Sequence, residues 1–263
     1  MLLHPIEPTR GIFIPRYEPL PDLQGRRTYI PAQPMADLWL SPVYQLVAKN
    51  GKRITVDVTS SVSAGLPPNK LFESTLVKFF RGKGVEKIVD FGAGALRHTF
   101  PLLKAGFQVC AVEFEETFKR PTCAEAMSKA EGHPNFSKLI WPRDFRKDDR
   151  EFDAALLCYV LQTMPLKEER SMVLKLLRKK LRRDSYLLWM SRYGQTGSIP
   201  REQIVKDGYF MWPERDSHSF YTEFCTEDTH KMFEDQGFRK LRSLSERGTD
   251  QVYLYGKGGS TWI

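Results

Sequence analysis

From Val85 onward the chain alternates short apolar runs with amphipathic stretches, and this rhythm constrains the fold more than any other feature. The runs "EKIVDFG", "FQVCAVEF", "NFSKLIW", "FDAALLCYVL" and "SYLLWMS" are strand-length and rich in aliphatic and aromatic residues. Between them lie helix-length segments. These are "ALRHTFPLLKAG", closing at Gly106, then "TFKRPTCAEAMSKAEG", expected to be irregular at Pro121, and Leu166 to Arg183. Apolar strands alternating with helices require a parallel sheet covered on both faces, since each crossover helix buries one side of it. Beyond them, "TEDTHKMFEDQG" reads as a helix, and "FRKLRSLSE" with "DQVYLYGKG" as a hairpin turning at Arg247-Gly248-Thr249. The expected fold is α/β: a doubly wound, mainly parallel sheet of seven strands.

Residues 1–70 read differently and are expected to form an N-terminal extension to a main domain over 71–263. "GIFIPRYEPLPDLQGRRTYIPAQP" is proline-rich without helical periodicity, which suits an extended arm. "KRITVDVTSS" alternates like a strand or hairpin arm, and "PPNKLFESTLVKFFRG" reads as a helix entered after Pro68 and left near Gly82. Hydrophobic residues make up 41% of the chain and aromatics 12%, as in ordinary globular proteins. No apolar run approaches the roughly 20 residues a membrane helix needs, and "MLLHPIEPTRGIFIP" lacks the apolar core of a secretory signal. A cytoplasmic location is the resulting expectation. Cys110, Cys123, Cys158 and Cys225 form no C-x-x-C pair, so neither a disulfide framework nor a metal site is expected.

The segment "VDFGAGALRHTFPLLKAGFQVCAVEFEE" carries the functional signal. Gly92 and Gly94 follow the first parallel strand, where glycines let the backbone turn tightly and approach a ligand with no Cβ in the way. Glu113 ends the next strand about twenty residues on, where an acid accepts hydrogen bonds from ribose hydroxyls. A dinucleotide fingerprint would need a third glycine or alanine where this chain has Arg97, and Asp90 before the turn would repel a pyrophosphate. A cofactor bearing an ammonium group would instead welcome Asp90, and S-adenosylmethionine has one, together with a sulfonium and a ribose.

The stretch from Val85 to Gly258 resembles the class I S-adenosylmethionine-dependent methyltransferase family in three places. They are "DFGAG", Glu113 at the end of the second strand, and "RDFRKDDREFDAALLCYVLQTMP". The resemblance implies a Rossmann-like seven-stranded sheet ending in a reversed hairpin strand, with S-adenosylmethionine as cofactor. It places Asp90, Gly92, Ala93 and Gly94 near the methionine moiety and Glu113, with Phe114 beside it, at the ribose. Asp144 and Phe145 would meet the adenine, and Cys158 to Leu161 would lie close to the methyl donor.

Methyl transfer from a sulfonium needs alignment more than a catalytic triad, so the lack of a triad motif excludes nothing. "LCYVLQTMP" lacks the Asn/Asp-Pro-Pro-Tyr/Phe signature of enzymes acting on exocyclic base amines. It looks more like the branch acting on small molecules, proteins or some tRNA positions. A net charge of +8 raises a nucleic-acid reading, yet Leu166 to Asp184 alone holds eight Lys/Arg against three Asp/Glu. That helix is expected to end remote from the cofactor, where cations complement its dipole. The segment of about 192–222, following the carboxyl end of a strand, is aromatic and is expected to form an acceptor pocket together with the N-terminal arm. Tyr193, Trp212, Phe220 and Tyr221 are its candidate substrate contacts. His218 is the candidate general base and Tyr159 a second candidate catalytic residue, whereas His98 reads as packing or capping. The favoured function is methyl transfer to an oxygen or nitrogen of a small molecule or peptide. The alternatives are an RNA or DNA methyltransferase using Arg10, Arg16, Arg26 and Arg27, a non-catalytic cofactor-binding partner subunit, and, last, a dehydrogenase.

Overall fold

The computed structural model describes residues 42–47, 53–61, 67–192, 204–205, 208–211, 219–222, 224–245 and 250–258. Seven strands form the central sheet. They are β3 (Lys87–Phe91), β4 (Gln108–Phe114), β5 (Phe136–Trp141), β6 (Phe152–Cys158), β7 (Leu181–Arg192), β11 (Phe238–Ser245) and β12 (Asp250–Lys257). Their spatial order is β11-β12-β7-β6-β3-β4-β5. Six strands point the same way and β12 alone is reversed, pairing antiparallel with both β7 and β11. The chain winds outward from β3 through β4 to β5, then returns to lay β6 on the other side of β3. That reversal is the point at which open α/β sheets bind ligands, beyond the carboxyl ends of the strands.

Both faces are buried, which is why the strand sequences read as continuous apolar runs. Along β6, Ala155 and Leu157 belong to one core cluster, and Ala154, Leu156 and Cys158 to the other. Trp189 of β7 anchors the first cluster, stacked on Tyr253 at 5.7 Å and edge-on to Phe233 of α6 (Thr226–Asp235) at 5.8 Å. Leu188 and Met190, on the opposite face of the same strand, enter the second.

Three boundaries differ from the sequence reading, each for a local reason. The helix after the glycine turn is α2, Thr99–Lys104, and not the whole of "ALRHTFPLLKAG". Leu96 is held at φ 59°, a left-handed conformation that interrupts a helix, while its side chain is fully buried. The second helical segment is two helices, α3 (Glu115–Phe118) and α4 (Pro121–Glu131), and the break falls just before Pro121 as anticipated. The basic helix α5 spans Lys167–Lys180, and β7 starts at once at Leu181. Arg182 and Arg183 therefore lie on the strand, where Arg182 donates to Asp153 Oδ1 at 2.8 Å.

The helix read after Pro68 includes a π-helical turn, Phe72–Leu76, running into α1 (Val77–Gly82). In the N-terminal extension, β1 (Val43–Val47) and β2 (Arg53–Asp57) form the hairpin that the alternating pattern suggested. Within the segment of about 192–222, β8 (Ile204–Val205), β9 (Gly208–Met211) and β10 (Ser219–Tyr221) make a small antiparallel sheet. No helix among the described residues is long and apolar enough to cross a membrane.

Candidate functional site

A cleft of about 830 Å3, counting its solvent-open space, lies over the carboxyl ends of β4, β3 and β6. Its floor is the turn that leaves β3. Gly92 takes φ 73° there, and a Cβ at this position would stand 2.2 Å from Val160 Cγ2. Both the left-handed conformation and the close approach of Val160 exclude any other residue without a shift in structure. Gly92 N–H and Ala93 N–H both donate to the Val112 carbonyl, at 2.8 and 3.2 Å, which ties the turn to the end of β4.

Glu113 is set by the same turn. Its Oε2 accepts from Gly94 N–H at 3.1 Å and its Oε1 from Phe114 N–H at 2.8 Å. Burial nevertheless dominates and raises its pKa to about 7. A carboxylate with only two N–H donors keeps lone pairs for a ligand's hydroxyls.

Seven residues expected at the site come together around the cleft: Gly92, Ala93, Gly94, Glu113, Phe114, Cys158 and Tyr159. Others are placed elsewhere. Asp90 does not line the cleft. It falls on the strand face turned toward α2, is 2% exposed, and its Oδ2 accepts from the Thr99 hydroxyl at 2.6 Å. Burial raises its pKa to about 6. Phe145 is fully buried in the core against Phe91 and Trp141, with ring centroids 5.7 and 6.0 Å away, so it presents no face to a ligand. Asp144 is also outside the cleft lining and is engaged by Arg143 at 2.9 Å, the hydrogen bond that lowers its pKa. Phe220 and Tyr221 on β10 are buried and do not line the cleft. Tyr193, Trp212 and His218 lie outside the described residues.

Tyr159 caps β6 in the left-handed region, φ 62°, with its N–H donating to the Met190 carbonyl at 2.8 Å. Non-glycine residues held this way cluster at functional sites, where the surrounding structure maintains the strain. Burial, with the Asp250 carboxylate adding to it, raises its pKa. It therefore stays a neutral phenol. Arg97 lies over its ring, 5.5 Å from the centroid. His98 stacks on Phe72 at 4.3 Å and 10°, and burial lowers its pKa to about 3, so it stays neutral.

Of the N-terminal extension, expected to help form the acceptor pocket, Tyr44 of the hairpin and Val58 and Thr59 of the turn that follows it line the cleft. Three contacts fasten this hairpin to its own chain. Tyr44 Oη donates to Glu169 Oε2 at 2.6 Å, Arg120 pairs with Asp57 at 3.0 Å and bonds Thr59, and Ser60 and Ser219 share a hydrogen bond of 2.7 Å. The available signal was the aromatic and β-branched alternation of "VYQLV" and "RITVDVT", which marks a strand pair but not these contacts.

Burial raises the Glu169 pKa to about 8, with the Tyr44 hydrogen bond opposing it. A carboxyl that holds its proton more tightly folded than unfolded adds stability below the ordinary carboxylate range. That stability is lost as pH rises through the folded value. Glu169→Gln, which keeps an acceptor for Tyr44, should therefore flatten the loss of stability between about pH 5 and 8. Denaturant midpoints across that range check this; an unchanged slope would mean Glu169 does not titrate in the folded protein.

No family model and no curated protein sequence matches the chain. Solved structures do. An S-adenosylmethionine-dependent methyltransferase from Clostridium acetobutylicum superposes with a TM-score of 0.56 at 14% identity, over 76% of this chain and 94% of that one. The CcbJ methyltransferase of Streptomyces caelestis gives 0.56 at 12%, over 77% and 95%. The 1,6-didemethyltoxoflavin-N1-methyltransferase of Burkholderia thailandensis, solved with 1,6-didemethyltoxoflavin and S-adenosylhomocysteine, gives 0.53 at 17%, over 73% and 80%. The chain thus has the seven-stranded fold of the S-adenosylmethionine-dependent methyltransferases.

Proposed function

We propose that this protein is an S-adenosylmethionine-dependent methyltransferase whose acceptor is an oxygen or nitrogen of a small molecule or peptide. The observation that carries this reading is a half-buried carboxyl, Glu113, and a glycine turn meeting at the switch point of a methyltransferase-fold sheet. The cradle fits the cofactor. Gly92 leaves no room for a Cβ, Glu113 offers lone pairs to the ribose hydroxyls, and Phe114 supplies an apolar surface beside them. When bound, S-adenosylmethionine supplies an electrophilic methyl on a sulfonium.

The chain's own part is placement. The turn at Gly92–Gly94 and the end of β6 at Cys158 and Tyr159 would fix the donor, and Tyr44, Val58, Val160 and Met164 would hold an acceptor against it. Alignment of this kind can be worth about 7–11 kcal/mol. Neither Tyr159, a neutral phenol, nor His98, a very weak base, would accept a proton at neutral pH. The general-base role remains with His218 in this proposal, or with no residue where the acceptor is already nucleophilic. A small-molecule acceptor suits a wall of Tyr44, Val58, Val160 and Met164, and the Burkholderia protein of the same fold methylates one.

Turnover tests the reading. Protein given methyl-labelled S-adenosylmethionine and fractionated small-molecule and peptide pools should transfer label to one fraction. A preparation that binds the cofactor yet labels no pool, RNA and DNA included, would instead mark a non-catalytic subunit.

A further inference from the structure

The first turn of α5 holds the cleft from outside it. Glu169 and Arg170 are 2% and 4% exposed, and neither lines the cleft. Each is bonded to a residue that does. Glu169 accepts from Tyr44, and Arg170 Nη1 donates to the Met164 carbonyl at 2.9 Å. The same Nη1 donates to the Thr222 hydroxyl at 2.6 Å, and the guanidinium lies over the Phe224 ring, 5.5 Å from its centroid. Arginine is almost never this buried unless its donors are engaged, and here they engage two segments far apart in sequence.

Thr222 is gripped from its other side as well. Its N–H donates to the Gln162 carbonyl at 2.6 Å, and Gln162 Oε1 accepts from Ser191 Oγ at 2.5 Å and Arg192 N–H at 2.9 Å. The run Val160–Met164, the end of β7 and the residue that follows β10 therefore form one hydrogen-bonded frame. β10 carries the frame onward, because Ser219 bonds Ser60, next to the cleft-lining Thr59. Val160 sits at the other edge, where its methyl groups fill the space a Cβ on Gly92 would need. A shift of the frame thus moves the cleft wall against the glycine turn.

We propose that Arg170 is a positioning residue for methyl transfer: by holding Met164 and Thr222 together it sets the wall of Val160, Thr163 and Met164 over the glycine turn. Arginine suits this task, since its planar group presents donors at fixed angles, which a lysine ammonium reproduces only in part. The glycine turn is fastened separately, to the Val112 carbonyl and to Glu113. Loss of Arg170 should therefore spare cofactor binding and impair transfer. Because the proposal rests on the methyltransferase reading, the experiment separates the two.

S-adenosylhomocysteine is titrated calorimetrically into wild type, Arg170→Gln, Arg170→Lys, Thr222→Val and Thr222→Ser, which gives both affinity and the number of competent sites. Transfer from methyl-labelled S-adenosylmethionine to the fraction that wild type labels is then followed per competent site, with kcat and KM separated. Counting sites removes any loss that comes from unfolding. In Arg170→Gln, kcat per site should fall about 10- to 100-fold, the scale of a misalignment near 1 Å, while S-adenosylhomocysteine affinity stays within twofold. Thr222→Val removes only the hydroxyl that Arg170 holds, and should lower kcat per site about 3- to 10-fold. Arg170→Lys and Thr222→Ser should each recover part of the loss. An unchanged kcat per site in Arg170→Gln, or in Thr222→Val should Arg170→Gln not fold, would overturn the proposal. An equal fall in cofactor affinity would also overturn it, since damage to the turn explains that result. If wild type binds S-adenosylhomocysteine but labels no fraction, there is no transfer to position and this proposal falls while the cofactor site stands. If wild type does not bind it, the methyltransferase reading falls as well.

Discussion

Gly92→Ala should be the most damaging single-methyl change in the protein. The new Cβ would lie 2.2 Å from Val160 Cγ2, on a backbone at φ 73°. The left-handed conformation costs about 1–2 kcal/mol for a residue with a Cβ, and the overpacking a further ~1–3 kcal/mol. For a chain of this size that corresponds to a fall in melting temperature on the order of 5–15 °C. The functional loss should be larger still. Relief of the contact must move either Val160 or the turn, and both line the cleft; a shift of about 1 Å at a reacting centre can cost on the order of 100-fold in rate. Val160→Ala in the same chain removes the Cγ atoms and should restore part of the stability. A double variant no more stable than Gly92→Ala would show that the contact with Val160 is not the source of the damage.

Glu113→Ala should produce the second large effect, this time on the ligand. It removes the acceptor for Gly94 N–H and Phe114 N–H as well as the proposed ribose contact. Hydrogen bonds to a charged group are worth about 1.5–3 kcal/mol each, so cofactor affinity should fall by roughly 10- to 150-fold. Binding and stability should then respond to pH in opposite directions. Ribose hydroxyls donate to the ionised carboxylate, so affinity should be lost as pH falls through about 7. The folded protein without ligand favours the protonated acid, so Glu113's own contribution to stability is lost as pH rises through the same value. Glu113→Gln should remove both dependences. A cofactor affinity independent of pH between 6 and 8 in wild type would mean that Glu113 does not meet the ligand.

Much of this architecture is legible in the residues. Strands buried on both faces have to be apolar throughout, and β3, β4, β6 and β7 announce themselves that way. Gly92, Gly94 and Glu113 are legible because backbone approach and a ribose-facing acid need those residue types at that spacing. Side-chain direction was harder to read. Asp90 looked like a ligand group, but strand alternation turns it toward α2, where the Thr99 hydroxyl engages it. Phe145 sits beside a plausible adenine contact in sequence, yet it packs into the core against Phe91 and Trp141. Contacts between distant segments left no local trace at all. Nothing near Tyr44 foretells its hydrogen bond to Glu169, 125 residues away. Arg97 was visible only as a mismatch to a glycine fingerprint, because its stacking on Tyr159 depends on β6 lying beside β3.

The most direct test of the central claim is a calorimetric titration of S-adenosylmethionine, and separately of NAD, into the wild-type chain. Binding of S-adenosylmethionine at micromolar concentration, with no heat from NAD, is the predicted result. Binding of NAD, or of neither, would contradict the account and return the glycine turn and Glu113 to another ligand.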